Sequence, residues 1–320
     1  MTKKTTTTPA KEVPQEEMAP SLIAENTKIT ITIPWEKAKP AYQKARAQFA
    51  KTVKVSGFRK GKVPADVVEK MMGTDEIIEK AIEFVLPEAY VEQIKKENKQ
   101  PLTHPTFTGV SLKTDSDWVI EAQIAEKPEI VVGDYKKTVK DARKHVTEEL
   151  EKREKEAAKA KKEPKTEKNS ATPAPKPLTD DQKKEFTLQH MYQHLIEVVK
   201  PRIPELLVRR EVEYDLEQLA RQLKALNMTF EHYLERRQIT QEMLTQQMAL
   251  AALGRLQLLF IMDKISQEQK FDPTPEEIEQ YMTEKVEPAV RQQYAKSEEY
   301  KNMLRQTIMR QKVADYLLAL

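Results

Sequence analysis

Cysteine is absent from the 320-residue chain, and glycine occurs only 6 times. The first absence excludes disulfides, thiolate metal sites and cysteine nucleophiles, and it fits a reducing compartment. The second leaves no glycine-rich loop to cradle a phosphate, since GTDE, residues 73–76, lacks the P-loop pattern. A dominant charge of one sign is also missing. The formal net charge of +3 is too small for wholesale coating of a nucleic acid, so any polyanion site has to come from local clustering. Long apolar runs are lacking too. The N-terminal MTKKTTTTPAKEVPQEEMAP has no signal-peptide core, and nothing further along reaches bilayer-spanning length. The expectation is a cytoplasmic protein with no membrane partner.

What is present is charge and helical periodicity. Charged residues make up 33% and hydrophobic residues 39%, the balance of well-solvated, charged helices. A chain of this length exceeds the size at which one core usually stops growing, so two or three modules are expected. Residues 1–24, rich in Thr, Lys, Pro and Glu, have almost nothing to bury and read as a disordered tail. Residues 25–138 read as a small α+β domain. KITITI places Ile29, Ile31 and Ile33 at period two, a half-buried strand. Tyr42, Ala45, Phe49 and Val53 then form a helical stripe, which either starts at Pro40 or is kinked there. A short helix from Pro64 to Met72 is closed by Gly73. A longer one, bent at Pro87, fits Thr74–Asn98. Two strands near Thr106–Leu112 and Trp118–Ala125 return as a hairpin around KTDSD.

Residues 139–181 contain neither glycine nor an aromatic side chain and read as a charged, proline-rich linker. Its opening is compatible with a solvated helix, because Glu148 with Lys152, Glu149 with Arg153 and Glu151 with Lys155 lie four apart in the favourable order. Residues 182–320 read as helical throughout. Thr179 with Gln182, and Thr274 with Glu277 around Pro275, fit capping boxes; Thr240 and Ser297 are further N-caps. The expected fold is thus an α+β N-terminal domain, a small antiparallel sheet packed on helices, followed by an all-α C-terminal domain in an elongated multi-domain chain.

The stretch VSGFRKGKVP, Val55–Pro64, places an aromatic ring among three cations. Between Lys37 and Ala65 there are nine Lys or Arg and no Asp or Glu. Gly57 and Gly61 free the backbone of this excursion. Phe58, Arg59 and Lys60 then either project, the ring toward an apolar pocket and the cations toward carboxylates or phosphates, or Phe58 folds back onto the core of an ordinary solvated loop.

GFRKGKVP, residues 57–64, resembles the ribosome-docking motif of the bacterial trigger factor family, chaperones that meet nascent chains at the ribosomal exit tunnel. The resemblance runs to about Thr138. It resumes at IPELLVRREVEYDLEQL, residues 203–219, and continues in NMTFEHYLERRQITQEML, residues 227–244, and FDPTPEEIEQYM, residues 271–282. It implies ribosome-binding residues Gly57, Phe58, Arg59, Lys60, Gly61, Lys62 and Pro64. It also implies a large-subunit protein beside the exit with ribosomal RNA nearby as docking partner, unfolded or nascent polypeptides as clients, a homodimer off the ribosome, and no cofactor. Family members ordinarily carry a prolyl isomerase domain of the FK506-binding type between the two parts. Residues 139–181 offer no aromatic pocket, no glycine turns and no alternating strands for one, so that domain is expected to be absent and no catalytic residue is assigned.

Other chemistry is sparse. His190 and His194 lie four apart, a spacing that can hold a metal, but without HExxH they read as an accidental surface pair and no metal is assigned. The C-terminal part gathers flexible and aromatic side chains: Met228, Phe230, Tyr233, Met243, Met248, Phe260, Met262, Tyr281, Met282 and Met303. Such side chains adapt to unrelated partners and are the candidate client-binding set, although for each methionine taken alone core packing is the commoner use. Three function classes follow: an ATP-independent ribosome-associated holdase, a prolyl isomerase with an unrecognised catalytic region, and a nucleic-acid binder using the Lys37–Lys62 face, which lacks stacking aromatics.

Overall fold

The computed structural model describes residues 22–53, 58, 63–162, 178–294 and 297–320. Most of the expected tail and the proline-rich part of the expected linker lie outside the described residues.

The N-terminal sheet follows from alternation. Strand β1 (Ile23–Ala24) precedes β2 (Thr27–Ile33), whose Ile29, Ile31 and Ile33 all point into the core. After it come helices α1 (Trp35–Thr52), α2 (Ala65–Met72) and α3 (Thr74–Lys96), then β3 (Thr106–Ser111) and β4 (Trp118–Ile124). The sheet order is β2-β4-β3, antiparallel throughout, with Ile31 opposite Ile120 and Ile33 opposite Trp118. Ala38, Tyr42 and Ala45 of α1, and Ile77, Ile78, Ala81 and Leu86 of α3, cover one face of it.

Both prolines expected to disturb helices lie inside them: α1 starts at Trp35 and runs through Pro40, and α3 runs through Pro87. A proline removes one backbone bond and crowds the preceding turn; the apolar stripes of both helices offset that by burial against the sheet. Gly73 ends α2 at φ +83° and ψ 153°, a conformation open essentially only to glycine.

Helix α4 (Tyr135–Lys162) corrects the expectation of a linker starting at residue 139. Val139, Ala142 and Val146 recur at helical spacing and are buried, and with Ala125, Ile130, Val132 and Tyr135 most of them join the core of the C-terminal helices. A high density of charge on the other faces hides this stripe in the composition.

The remaining elements are α5 (Asp180–Val199), β5 (Ile203–Pro204), α6 (Glu205–Ala225), α7 (Phe230–Arg237), α8 (Gln241–Gln269), α9 (Pro275–Lys285), α10 (Pro288–Tyr294) and α11 (Glu298–Ala319). The capping boxes at Thr179 and Thr274 are formed as expected, as are the caps at Thr240 and Ser297. Thr229 adds one for α7 by accepting from the His232 amide. The long α8 is the axis of this part. Leu253, Leu256, Phe260, Ile261 and Ile265 bury it against α5, α6 and α11, and buried Gln257 is satisfied by donating to the Pro201 carbonyl at 2.9 Å.

The two parts are tied at one seam. β1 pairs in parallel with β5, so Ile23 and Ala24 do not belong to a disordered tail. Lys127, just after β4, pairs with Asp263 of α8. Among the described residues the largest sheet has three strands and none closes on itself.

Candidate functional site

The loop between α1 and α2 is built on a fixed base. Val63 is buried at its return, and Pro64 takes the N-cap position of α2 with φ −60°. The Tyr42 hydroxyl donates to Glu69 at 2.9 Å, and Arg46 reaches both Asp66 at 3.3 Å and Glu69 at 3.5 Å. Burial, and then the Glu69 carboxylate, push the Tyr42 phenol up to about 12, so it stays a protonated donor at neutral pH. Phe58 is 43% exposed, which excludes its being folded into the core. Gly57, Arg59, Lys60, Gly61 and Lys62 lie outside the described residues.

The cationic window is less unbalanced in space than in sequence. Arg46 is paired by the acids of α2, Lys37 lies 3.7 Å from Glu92 of α3, and the Lys44 ammonium sits 4.2 Å from the Phe84 ring centroid. Folding thus brings in carboxylates that a window along the chain does not contain. Lys39 and Lys51 remain exposed on α1.

The candidate client-binding residues divide into three groups. Met243 and Met303 are exposed, at 47% and 53%. Met228, Phe230, Tyr233, Met248 and Tyr281 are half-buried. Phe260, Met262 and Met282 are buried and are corrected to packing residues: the first two sit in the main core, the third with Ile278, Leu304 and Ile308 in a smaller cluster. Composition cannot separate these groups, because helix phase relative to neighbours decides which methionine faces outward.

Other exposed apolar side chains were not among the candidates. Leu250 of α8 is 65% exposed and lies seven residues from Met243, two helical turns along nearly the same face; that spacing was readable in the sequence. Leu226, in the turn after α6, is exposed as well. The N-terminal part is not confined to a closed core either, because Phe107 and Val110 stand out from edge strand β3.

Residues 20–160 match the family described as bacterial trigger factor protein (TF), and residues 178–319 match its C-terminus. The chain belongs to the bacterial trigger factor family. Only residues 161–177 separate the two matched regions, far too few for an independently folded isomerase domain. Trigger factors of Staphylococcus epidermidis (strain RP62A) and Staphylococcus aureus (strain JH9) are each 35% identical to it over 108 residues, 34% of this chain and 25% of theirs. The aligned stretch thus spans about a quarter of the length of these curated trigger factors. A solved structure, from work on promiscuous substrate recognition in the folding and assembly activities of the trigger factor chaperone, superposes with a TM-score of 0.56. It does so at 16% identity, covering 95% of this chain and 98% of that one. At that identity the likeness concerns the fold, and it extends across both parts of the trigger factor architecture described above. No described helix is long and apolar enough to cross a membrane.

Proposed function

We propose that this protein is an ATP-independent chaperone that docks beside the exit of the large ribosomal subunit and holds emerging polypeptides. The observation that carries the reading is Phe58, an exposed aromatic within GFRKGKVP, on a loop whose two ends are anchored by Val63 and by the contacts of Tyr42 and Arg46 with α2. An exposed aromatic side chain is suited to insertion into a partner's pocket. Arg59, Lys60 and Lys62 would meet acidic groups of the docking protein or of nearby ribosomal RNA. Residues 25–138 are then the docking unit, and residues 182–320, extended by the buried face of α4, form the client cradle. Exposed Met243, Leu250 and Met303 offer adaptable apolar contacts to unfolded chains. A cytoplasmic location and self-association off the ribosome belong to the same reading.

The test is cosedimentation with ribosomes of the wild type and of a Phe58→Ala, Arg59→Ala, Lys60→Ala variant. Loss of association with unchanged thermal unfolding supports docking through the loop, whereas undiminished cosedimentation overturns it. Docking that involves the cations also weakens as salt rises. The isomerase alternative is not favoured, because only residues 161–177 lie between the two regions that match the family. Acceleration of a proline-limited refolding reaction by substoichiometric protein would revive it.

A further inference from the structure

Three of the histidines, His145 of α4 and His190 and His194 of α5, line one cleft of about 260 Å³ together with Glu149 and Glu197. We propose that this cleft binds one divalent transition-metal ion of the zinc class, with His145, His190, His194 and Glu149 as ligands. The inference is independent of the chaperone reading.

The register of the two helices places these donors. Lys183 pairs with Glu154 at 2.7 Å, and the Arg153 guanidinium sits 4.7 Å from the Phe186 ring centroid, so α4 and α5 run in opposite directions. Counting back from those contacts sets Glu149 across from His190 and His145 across from His194. Each helix therefore contributes a pair four residues apart, whose Cβ atoms lie roughly 5–6 Å from one another on one face. Facing helices pack with axes about 8–10 Å apart, a gap that side chains of this length can close. Beneath the cleft, Ala142, Val146, Met191 and Leu195 are buried, so the helices that carry the donors are already docked.

Two of the imidazoles have a close neighbour on their own helix. The His190 ring packs on Phe186 with centroids 4.3 Å apart. Glu197 Oε2 lies 4.0 Å from His194 Nδ1, too far for a hydrogen bond, and places a carboxylate beside the donors. Three neutral imidazoles and a carboxylate suit a four-coordinate zinc-class ion, with Zn–N about 2.0–2.1 Å. Among the described residues no three such donors already stand in position to hold a metal, so binding requires side-chain rotation. One contact must be given up, the Glu149–Arg153 pair at 2.9 Å, and both of its side chains are substantially exposed, where such pairs contribute little. The bound ion would clip α4 to α5 on either side of the segment that joins them.

The experiment is calorimetric titration of the untagged full chain with Zn²⁺, accompanied by thermal unfolding and by the visible spectrum with Co²⁺. Expected are one ion per chain, a tetrahedral Co²⁺ band, and a rise in unfolding temperature of about 4 °C at a hundredfold excess over Kd. His145→Ala and His194→Ala should each weaken binding by about tenfold or more, while His104→Ala and His232→Ala should leave it unchanged. Absence of saturable one-to-one binding overturns the proposal. So does binding that survives the combined His145→Ala, His190→Ala, His194→Ala substitution, because the ion would then sit elsewhere.

Discussion

The Asn26 side-chain carbonyl accepts a 2.8 Å hydrogen bond from the Leu206 amide, 180 residues further along the chain. Leu206 lies in the first turn of α6, whose own N-cap, Pro204, offers no side-chain acceptor. A residue of the N-terminal part therefore satisfies a helix-end donor of the C-terminal part, next to the β1–β5 pair. Asn26→Ala is expected to cost about 1 kcal/mol, read as a lower urea midpoint of the full chain. Hydrogen exchange at the Leu206 amide should quicken in the variant; an unchanged rate would mean that the bond does not hold in solution.

The two classes of methionine should respond in opposite ways. Met262→Ala empties a site in the main core and is expected to destabilise by about 2–5 kcal/mol. Met243→Ala, at an exposed position, should stay within about 0.5 kcal/mol of the wild type. In an ATP-free aggregation assay, a variant carrying Met243→Ser, Leu250→Ser and Met303→Ser should protect an unfolded protein less well while unfolding at the same temperature. Equal protection would remove these three side chains from the cradle.

Gly254 lies in the interior of α8, and a Cβ built there meets nothing within 4 Å. Its substitution by alanine has no steric cost and removes the conformational freedom that glycine keeps in the unfolded chain. Gly254→Ala is expected to stabilise by about 0.5–1 kcal/mol, visible as a higher midpoint in thermal or urea unfolding. A lower midpoint would show that α8 needs glycine there.

Glu277 joins α9 to α11. Lys312 donates to its two carboxylate oxygens at 2.6 and 2.7 Å and, with the Thr274 amide, holds its pKa below the ordinary 4.5. Because the folded value is depressed, the stabilisation is fully present above the unfolded pKa and is lost as pH falls through the folded one. Lys312→Met should therefore move the Glu277 titration upward toward 4.5, as followed by NMR, and should flatten the acid-side decline of stability below about pH 4.5. An unmoved titration would assign the depression to the helix cap alone.

Much of the fold is legible in the sequence because its signals are local. Alternating isoleucines place β2, KTDSD turns the β3–β4 hairpin, and Thr179 with Gln182 and Thr274 with Glu277 start α5 and α9. These outcomes depend on residues two to four positions apart, so a short window contains their cause. The candidate docking stretch stands out in the sequence as an aromatic set among cations and glycines, and of it the structure adds the exposure of Phe58.

What the sequence by itself determined is therefore strand β2, the β3–β4 hairpin, the caps at Thr179, Thr240, Thr274 and Ser297, and the place of Phe58 among cations and glycines. Only the tertiary structure decided the partners of those faces. It drew the charge-rich α4 into a core through Val139 and Ala142, buried Met262 while leaving Met243 exposed, and brought His145 and His194 to one cleft. It also brought Asn26 to the end of α6. The physical reason is that periodicity specifies which residues share a face, whereas burial depends on whether another element covers that face, and the covering element can lie anywhere along the chain.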